Sequence, residues 1–339
     1  VVQALATPYD ERGIELLTEA IQREPFDPML YYYRGRVGYN LVVRNTARRF
    51  YRAAIDDLEK ALLGRPKDVR IVETLCRCLV KFHFLADGGD LPLARARQLL
   101  DAWLAVEPDS PAALAALADW YLAKGRPQEV IETCLRGNEI APRRLEFLFY
   151  MGWACRKMGR HEDAVDYLSE ALNLEPEGAG AEAPVGRVAG YAGRAQSHFA
   201  VGREDPALED LAEACRLVQP RKWTFYDWYN LLSAHRALGK HQEGSAWCEK
   251  YVELAPENSR AWFWRGTFRV DLGDRKAGAA DFAEAIRLNP AGQWAHISLL
   301  GMLLADGEYA AAQEYCDNWG EADPDSSDPY RWRGLFSLK

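Results

Sequence analysis

Apolar residues recur along this chain at the spacing of amphipathic helices, in two successive segments that together make one unit. A glycine separates the two segments, at Gly125, Gly159, Gly202, Gly239 and Gly273, and a proline follows the second segment. These prolines lie at positions 25, 66, 108, 142, 176, 220, 256, 290 and 324, and 34 residues is the commonest spacing between them. The pattern therefore predicts a repeat of two antiparallel helices joined by a short turn.

Departures from this spacing predict where repeats are lengthened or separated. The first two full repeats carry about 7 and 8 extra residues, around "VVRNTARRF" and "FHFLADGGDLP", so we expect two lengthened hairpins that form one protruding ridge. The stretch "EGAGAEAPVGR", residues 177–187, is rich in Gly, Ala and Pro and lacks helical periodicity. We expect a flexible loop between repeats there, rather than a binding loop.

Residue types within the units resemble the tetratricopeptide repeat family. The unit from Leu145 has its large, small and proline residues where that family has them, at Leu148, Gly152, Ala164, Leu168, Ala171 and Pro176. The resemblance implies an all-α fold, an α-solenoid wound as a right-handed superhelix of about eight helix-turn-helix repeats. It implies a partial repeat at 1–27, repeats at 28–176 with lengthened hairpins at 28–108, the loop at 177–187, repeats at 188–324, and the start of a further repeat or capping helix at 325–339.

Arginine and aspartate occur together in three repeats and are both absent, at the same positions, from the other five full repeats. Counted from the start of each repeat, the arginine is at position 7 and the aspartate at position 23. The pairs are Arg34 with Asp57, Arg194 with Asp210, and Arg265 with Asp281. We predict direct contact between the two helices of each such repeat, which assigns these arginines a structural role.

The resemblance also implies where a partner binds, because first helices line the concave face of the superhelix in this family. Positions 2, 5, 6, 9, 12 and 13 reach into the groove, and here they are rich in Tyr, Trp and Arg, which dominate binding hot spots. The predicted surface consists of Tyr32, Tyr33, Arg36, Tyr39, Phe149, Tyr150, Trp153, Arg156, Lys157, Tyr226, Tyr229, Asn230, Arg236, Arg260, Phe263, Trp264 and Trp294. The alternative is that many of these rings pack between repeats.

The stretch "RAWFWRG", residues 260–266, shows how specific this prediction is. We expect Trp262 in the core, and Phe263 and Trp264 in the groove. Some members of the family bind a chain-terminal carboxylate with a set of five Lys, Asn and Arg residues. Only Asn230 and Arg260 match that set, so we expect this clamp to be absent and favour an extended aromatic-bearing peptide or a partner's helix.

Charge and the remaining chemistry narrow the classes of function. A formal net charge of -8 argues against nucleic acid as the main partner, and no apolar run is long enough for a membrane span. The seven cysteines are scattered and the six histidines dispersed, without a catalytic motif or metal-ligand spacing. We therefore predict no catalytic residue, metal or cofactor, and a reducing, cytoplasmic location.

These observations together predict a scaffold or adaptor that binds a peptide or partner protein and is not an enzyme itself. Two alternatives remain, the regulatory or substrate-docking region of a larger enzyme and a structural subunit of a permanent assembly. Arg44, Arg48, Arg49 and Arg52 cluster on the predicted ridge, whereas residues 288–330 contain eight acidic residues and no Lys or Arg. Ordinary solvated surface is the default interpretation of both clusters. The alternatives are electrostatic steering of a partner, head-to-tail self-association, and the covering of open solenoid ends by another element.

Overall fold

A computed structural model of the protein describes residues 11–43, 50–86, 91–174, 186–217, 225–290, 292–322 and 328–336. Every regular element within these ranges is an α-helix. The chain forms two compact units, Val1–Leu238 (unit 1) and Gly239–Lys339 (unit 2). In each unit, helices that follow one another along the chain pack together, which is the packing of an α-helical repeat solenoid.

The described part of unit 1 starts with the helix Glu11–Arg23 and continues with pairs of helices. Its described helices are α1 (Glu11–Arg23), α2 (Pro28–Val43), α3 (Phe50–Gly64), α4 (Val69–Ala86), α5 (Leu91–Val106), α6 (Pro111–Ala123), α7 (Pro127–Ile140), α8 (Leu145–Lys157), α9 (His161–Asn173), α10 (Arg187–Ala200), α11 (Glu204–Leu217) and α12 (Phe225–Ala237). The even-numbered helices are the first helices of the predicted repeats. Consecutive first helices, from α2 to α12, also contact one another and form a continuous layer.

Unit 2 continues the alternation of first and second helices. Its described helices are α13 (His241–Leu254), α14 (Ser259–Asp271), α15 (Arg275–Leu288), α16 (Gln293–Ala305), α17 (Tyr309–Ala322) and α18 (Asp328–Phe336). The first helices here are α14, α16 and α18. The division between the two units falls at the turn within one predicted repeat, after Leu238.

Glycines in the left-handed region form the turns between paired helices, as at Gly273, whose φ is 93°. Glycine adopts this conformation without steric penalty because it has no Cβ. The Gly273 N–H donates to the Val270 carbonyl at 2.9 Å, and the Asp274 N–H donates to the Arg269 carbonyl at 2.8 Å. The Asp274 carboxylate then caps α15 by accepting the Ala277 N–H at 3.0 Å, so two residues end one helix and begin the next.

Small residues allow the paired helices of one repeat to approach closely. A Cβ added to Gly266 on α14 would lie 2.8 Å from the Phe282 ring and 3.0 Å from the Gly278 carbonyl on α15. In unit 1, a Cβ on Gly152 would lie 2.6 Å from the buried Leu168 side chain. The small residues of the repeat pattern are therefore required by helix packing.

The first two repeats differ from the others in the length of their first helices. Helix α2 has 16 residues and α4 has 18, whereas α6 and α8 have 13 each. Part of each insertion thus extends a helix. Residues 44–49 and 87–90, which include Arg44, Arg48 and Arg49, lie outside the described residues, as do residues 177–185 of the predicted loop. Arg52 is exposed on α3.

Candidate partner-binding surfaces

Each arginine of the three predicted pairs donates two hydrogen bonds to its aspartate. The Arg194 Nε and Nη2 atoms lie 2.8 and 2.7 Å from the two Asp210 oxygens, which links α10 to α11. Arg34 binds Asp57 in the same way at 2.7 and 2.8 Å. Arg265 binds Asp281 at 3.0 and 2.7 Å. The hydrogen bond to the aspartate raises the pKa of each arginine, as expected for a bidentate charged pair.

A further contact joins each of these arginines to the second helix of the preceding repeat. The Nη1 atom donates to Thr18 for Arg34 (3.1 Å), to Ser169 for Arg194 (3.0 Å) and to Glu249 for Arg265 (2.9 Å). All three acceptors occupy position 25 of their repeats. The sequence analysis did not identify this contact, although the spacing contains it. These arginines therefore connect neighbouring repeats as well as the helices of one repeat.

The first-helix layer of unit 1 is concave where α4 and α8 approach each other. The Arg77 Nη2 atom on α4 donates to Glu146 on α8 at 3.1 Å, although α6 lies between them in the layer. Packed helix axes are typically 8–10 Å apart, so this side-chain bond over two spacings indicates strong curvature. Burial opposes ionisation of Glu146, but the charges of Arg77 and Arg144 outweigh it and lower its pKa.

A second ion pair that was not predicted from the sequence lies on this concave face. Lys81 on α4 lies 3.3 Å from Asp119 on α6, and both side chains are largely buried. Burial also raises the pKa of Tyr39 to about 12. Arg77, Lys81 and Asp119 occupy positions 9, 13 and 9 of their repeats, which belong to the groove positions of the family pattern. Counting charged residues as well as aromatic ones at those positions would have found them.

Five residues predicted to line the groove are instead buried, which corrects that placement. They are Tyr32, Phe149, Tyr150, Asn230 and Trp264, with exposed fractions of 5–9%. Phe149 shows the physical reason, because its ring packs against Gly190 of α10, where a Cβ would lie only 2.6 Å from the ring. Rings at groove positions thus pack between repeats where the facing helix has a small residue.

The other predicted surface residues of unit 1 remain at least partly accessible. Tyr33, Arg36, Tyr39, Trp153, Arg156 and Tyr229 are partly buried, and Lys157 and Arg236 are exposed. The Arg36 guanidinium lies 5.6 Å from the Tyr32 ring centre and 5.7 Å from that of Tyr33. The Tyr226 side chain lies outside the described part of the structure.

In unit 2, the structure corrects the assignment of Trp264 on α14 and leaves Trp262 less buried than expected. Trp262 is only partly buried, and its indole N–H donates to the Pro256 carbonyl at 2.7 Å. The Arg265 guanidinium lies over its ring at 4.4 Å, so Trp262 covers the arginine of the charged pair. Trp264 is buried, 7% exposed, beside the fully buried Phe268 one helical turn further along. The other two paired arginines also lie over an aromatic ring, Arg34 over Tyr31 and Arg194 over Tyr191.

Trp294, on α16 of unit 2, is the most exposed of the predicted surface aromatics whose side chains the structure describes, and α14 contacts it from the side. Trp294 is 44% exposed. The Arg260 guanidinium lies 5.1 Å from its ring centre, and the partly buried Phe263 ring meets it edge to face at 5.8 Å. Phe263 in turn packs on the buried Phe282. Arg260, Phe263 and Trp294 form what we call the Trp294 surface.

Other chemistry within the described residues is structural in character. Six of the seven free cysteines are buried, and burial raises the pKa of Cys76 to about 12. His235 is fully buried, with Nδ1 2.9 Å from the Leu231 carbonyl. In the described ranges, no group of three His, Cys, Asp or Glu side chains is arranged to hold a metal ion. No helix in those ranges is both long and apolar enough to span a bilayer.

Comparison with known proteins is consistent with this architecture. Family models of the tetratricopeptide repeat match residues 145–177, 228–258 and 259–291. No curated protein matches the sequence at a significant level.

Similar solved structures are found among larger helical-repeat proteins. The Cut9-Hcn1 structure from an APC/C hetero-tetramer has a TM-score of 0.56 at 13% identity, and the match covers 96% of this chain and 58% of that one. Yeast Tom70 has a TM-score of 0.55 at 15% identity, with 87% and 58% coverage. A monomeric mutant of IFIT1 with Gppp-AAAA has a TM-score of 0.50 at 11% identity, with 82% and 67% coverage. This chain thus spans 58% of the length of the first two, and the likeness shows the fold.

Proposed function

Because this chain is a tetratricopeptide repeat protein, we propose that it is a scaffold or adaptor that binds a peptide or partner protein through its first helices. The Trp294 surface is the observation that supports this proposal most directly. Tryptophan and arginine are the residue types that contribute most to protein interfaces. An indole that is 44% exposed leaves apolar area for a partner to bury.

The geometry of the Trp294 surface favours binding because its side chains are already held in place. Arg260 and Phe263 contact the indole from two sides, at 5.1 and 5.8 Å between the centres of the interacting groups. Less side-chain entropy is then lost when a partner binds. The free, mostly buried cysteines support a reducing compartment, and we place the protein in the cytoplasm on that basis.

Affinity capture with mass spectrometry tests this proposal with two matched variants. Trp294→Ala removes the exposed indole from unit 2, and Phe26→Ala removes an aromatic ring that is 94% exposed in unit 1. We expect Trp294→Ala to lose specific partners that the native chain and Phe26→Ala both retain. Circular dichroism should show equal helicity for all three proteins. The Trp294 surface is excluded as a binding site if Trp294→Ala captures the same proteins in the same amounts.

A further inference from the structure

Arg156 on α8 has no carboxylate partner among the described residues. Its Nη2 atom donates to the Gln196 Oε1 atom of α10 at 2.6 Å. Arg34, Arg77 and Arg194, by contrast, each contact at least one carboxylate within 3.1 Å. Gln196 is a neutral amide, so it provides a hydrogen bond without balancing the charge.

The surroundings of Arg156 hold the guanidinium against the protein interior. Its Nη1 atom lies 3.0 Å from where Gly193 of α10 would carry a Cβ, so this glycine leaves the space that the guanidinium occupies. Gln196 is fixed in turn, because its Nε2 atom donates to the Ala192 and Asn230 carbonyls at 3.3 and 3.4 Å. Trp153, one turn earlier on α8, stacks on Phe149. Arg156 is thus positioned by both α8 and α10.

The charge of Arg156 remains uncompensated at neutral pH. Burial lowers the pKa of Arg156 to about 10, which still leaves the side chain protonated at pH 7. The exposed Lys157, which follows directly on α8, carries a further positive charge. A partly desolvated cation without an anion is unfavourable, and proteins usually pair such groups. An external carboxylate would supply the missing partner.

We propose that Arg156 binds an Asp or Glu side chain of an extended peptide that lies along the first-helix layer of unit 1. This inference rests on the proposed function, since it assigns the chemistry of one partner-binding surface. A side-chain carboxylate fits better than a chain terminus because partly accessible rings lie near Arg156 on α8 itself and on α12. Trp153 is one turn before Arg156 and Tyr229 is on α12, so a peptide over Arg156 can contact both rings as it continues. The protein's net charge of -8 disfavours a nucleic acid phosphate as the anion.

Selection from a displayed library of random 12-residue peptides tests this assignment with the full chain as bait. We expect the selected peptides to share an Asp or Glu at one aligned position. Replacing that residue by Asn or Gln should weaken binding about 30-fold or more. Arg156→Met in the protein should weaken binding of the original peptide by a similar factor, and the two changes together should not add. Arg52→Met, which removes an exposed arginine on α3, is the control and should leave binding unchanged.

A stability measurement separates binding from a structural role. Arg156→Met removes an unpaired, partly buried charge, so the midpoint of thermal unfolding should stay the same or rise. A fall as large as that caused by Arg194→Met would assign Arg156 to the structural arginines and overturn the proposal.

Three other outcomes would also overturn the assignment, and they separate it from the broader function. If the selected peptides carry no shared acidic residue, or bind Arg156→Met equally well, the carboxylate assignment is wrong while peptide binding stands. If no peptide is enriched, extended-peptide binding in unit 1 is wrong, and the capture experiment on Trp294 still tests the scaffold. If a Gppp-AAAA oligonucleotide binds tightly and loses affinity in Arg156→Met, the anion is a phosphate.

Discussion

Replacing Arg194 by leucine should destabilise the repeat formed by α10 and α11. The aspartate that remains, Asp210, has a side chain only 7% exposed and would lose both of its hydrogen bonds to the guanidinium. The nearest basic group among the described residues is His198, whose Nε2 atom lies 3.9 Å from Asp210. Burial lowers the pKa of His198, which disfavours its charged form, and a single imidazole nitrogen at this distance does not replace the two hydrogen bonds of the guanidinium.

The expected loss follows from this geometry. Removing one member of a buried ion pair typically costs about 3–5 kcal/mol, because the other charge stays buried without compensation. Arg265→Leu should cost less, about 1.5–3 kcal/mol, because Asp281 keeps the Arg269 Nη1 atom at 2.9 Å. The predicted order, with Arg194→Leu worse than Arg265→Leu, therefore depends on the second arginine near Asp281 and not on the sequence pattern, which is the same in both repeats.

A double variant provides the control for the Arg194 prediction. Leu117 and Thr133 occupy the same two positions in the repeat formed by α6 and α7, where no charged pair is present. Arg194→Leu with Asp210→Thr transfers that neutral pair, so it should recover most of the lost stability. Urea unfolding followed by hydrogen exchange of α10 and α11 is the suitable assay, because solenoid repeats can unfold locally.

Two results would refute this reasoning. One is a loss below about 1 kcal/mol for Arg194→Leu, which is the range of exposed ion pairs. The other is a double variant as unstable as the single one, which would mean that shape and not charge decides the stability at these positions.

Two further predictions concern close packing and alkaline pH. Gly266→Ala places a methyl group 2.8 Å from the Phe282 ring and should lower the free energy of unfolding by about 1–3 kcal/mol. Gly301→Ala, with nothing within 4 Å of the added methyl group, should stabilise α16 by up to about 1 kcal/mol. Urea titrations of the two variants would show these opposite signs. Burial raises the pKa of Cys76 to about 12 and raises that of Cys78 as well, whereas an unfolded thiol ionises near about 8.5. Their contribution to stability is therefore complete below about pH 8.5 and is lost as the pH rises towards 12. Unfolding midpoints from pH 7 to 10 should fall less for the variant with alanine at both cysteines, and equal profiles would contradict the burial argument.

The spacing of residues was sufficient to predict the helical repeats and the three charged pairs. The glycine at each turn and the small residue at each crossing, such as Gly273 and Gly266, are local requirements that appear wherever the unit recurs. The joint presence of Arg and Asp at two positions indicated a contact because one repeat contains both helices. These residue types recur at fixed positions of the repeat, so a single sequence is enough to recognise them.

The same spacing was a poor guide to which aromatic residues are exposed. Trp262 and Trp264 were assigned to core and groove from their angles around α14, but Trp264 is buried and Trp262 is only partly buried. A first helix contacts several neighbouring helices, so more than one of its faces is covered. The angular position of a side chain relative to the second helix of its own repeat is therefore insufficient to predict whether that side chain is buried.

The sequence alone determined the fold class and the three Arg–Asp contacts that each lie inside one repeat. Only the tertiary structure decided which groove positions stay accessible and which charges are balanced. The Arg77 to Glu146 bond depends on the curvature between first helices two repeats apart, and the lack of a carboxylate at Arg156 depends on what α10 places beside it. Curvature accumulates from small rotations at each repeat interface, and these rotations are set by packing between side chains far apart in the sequence.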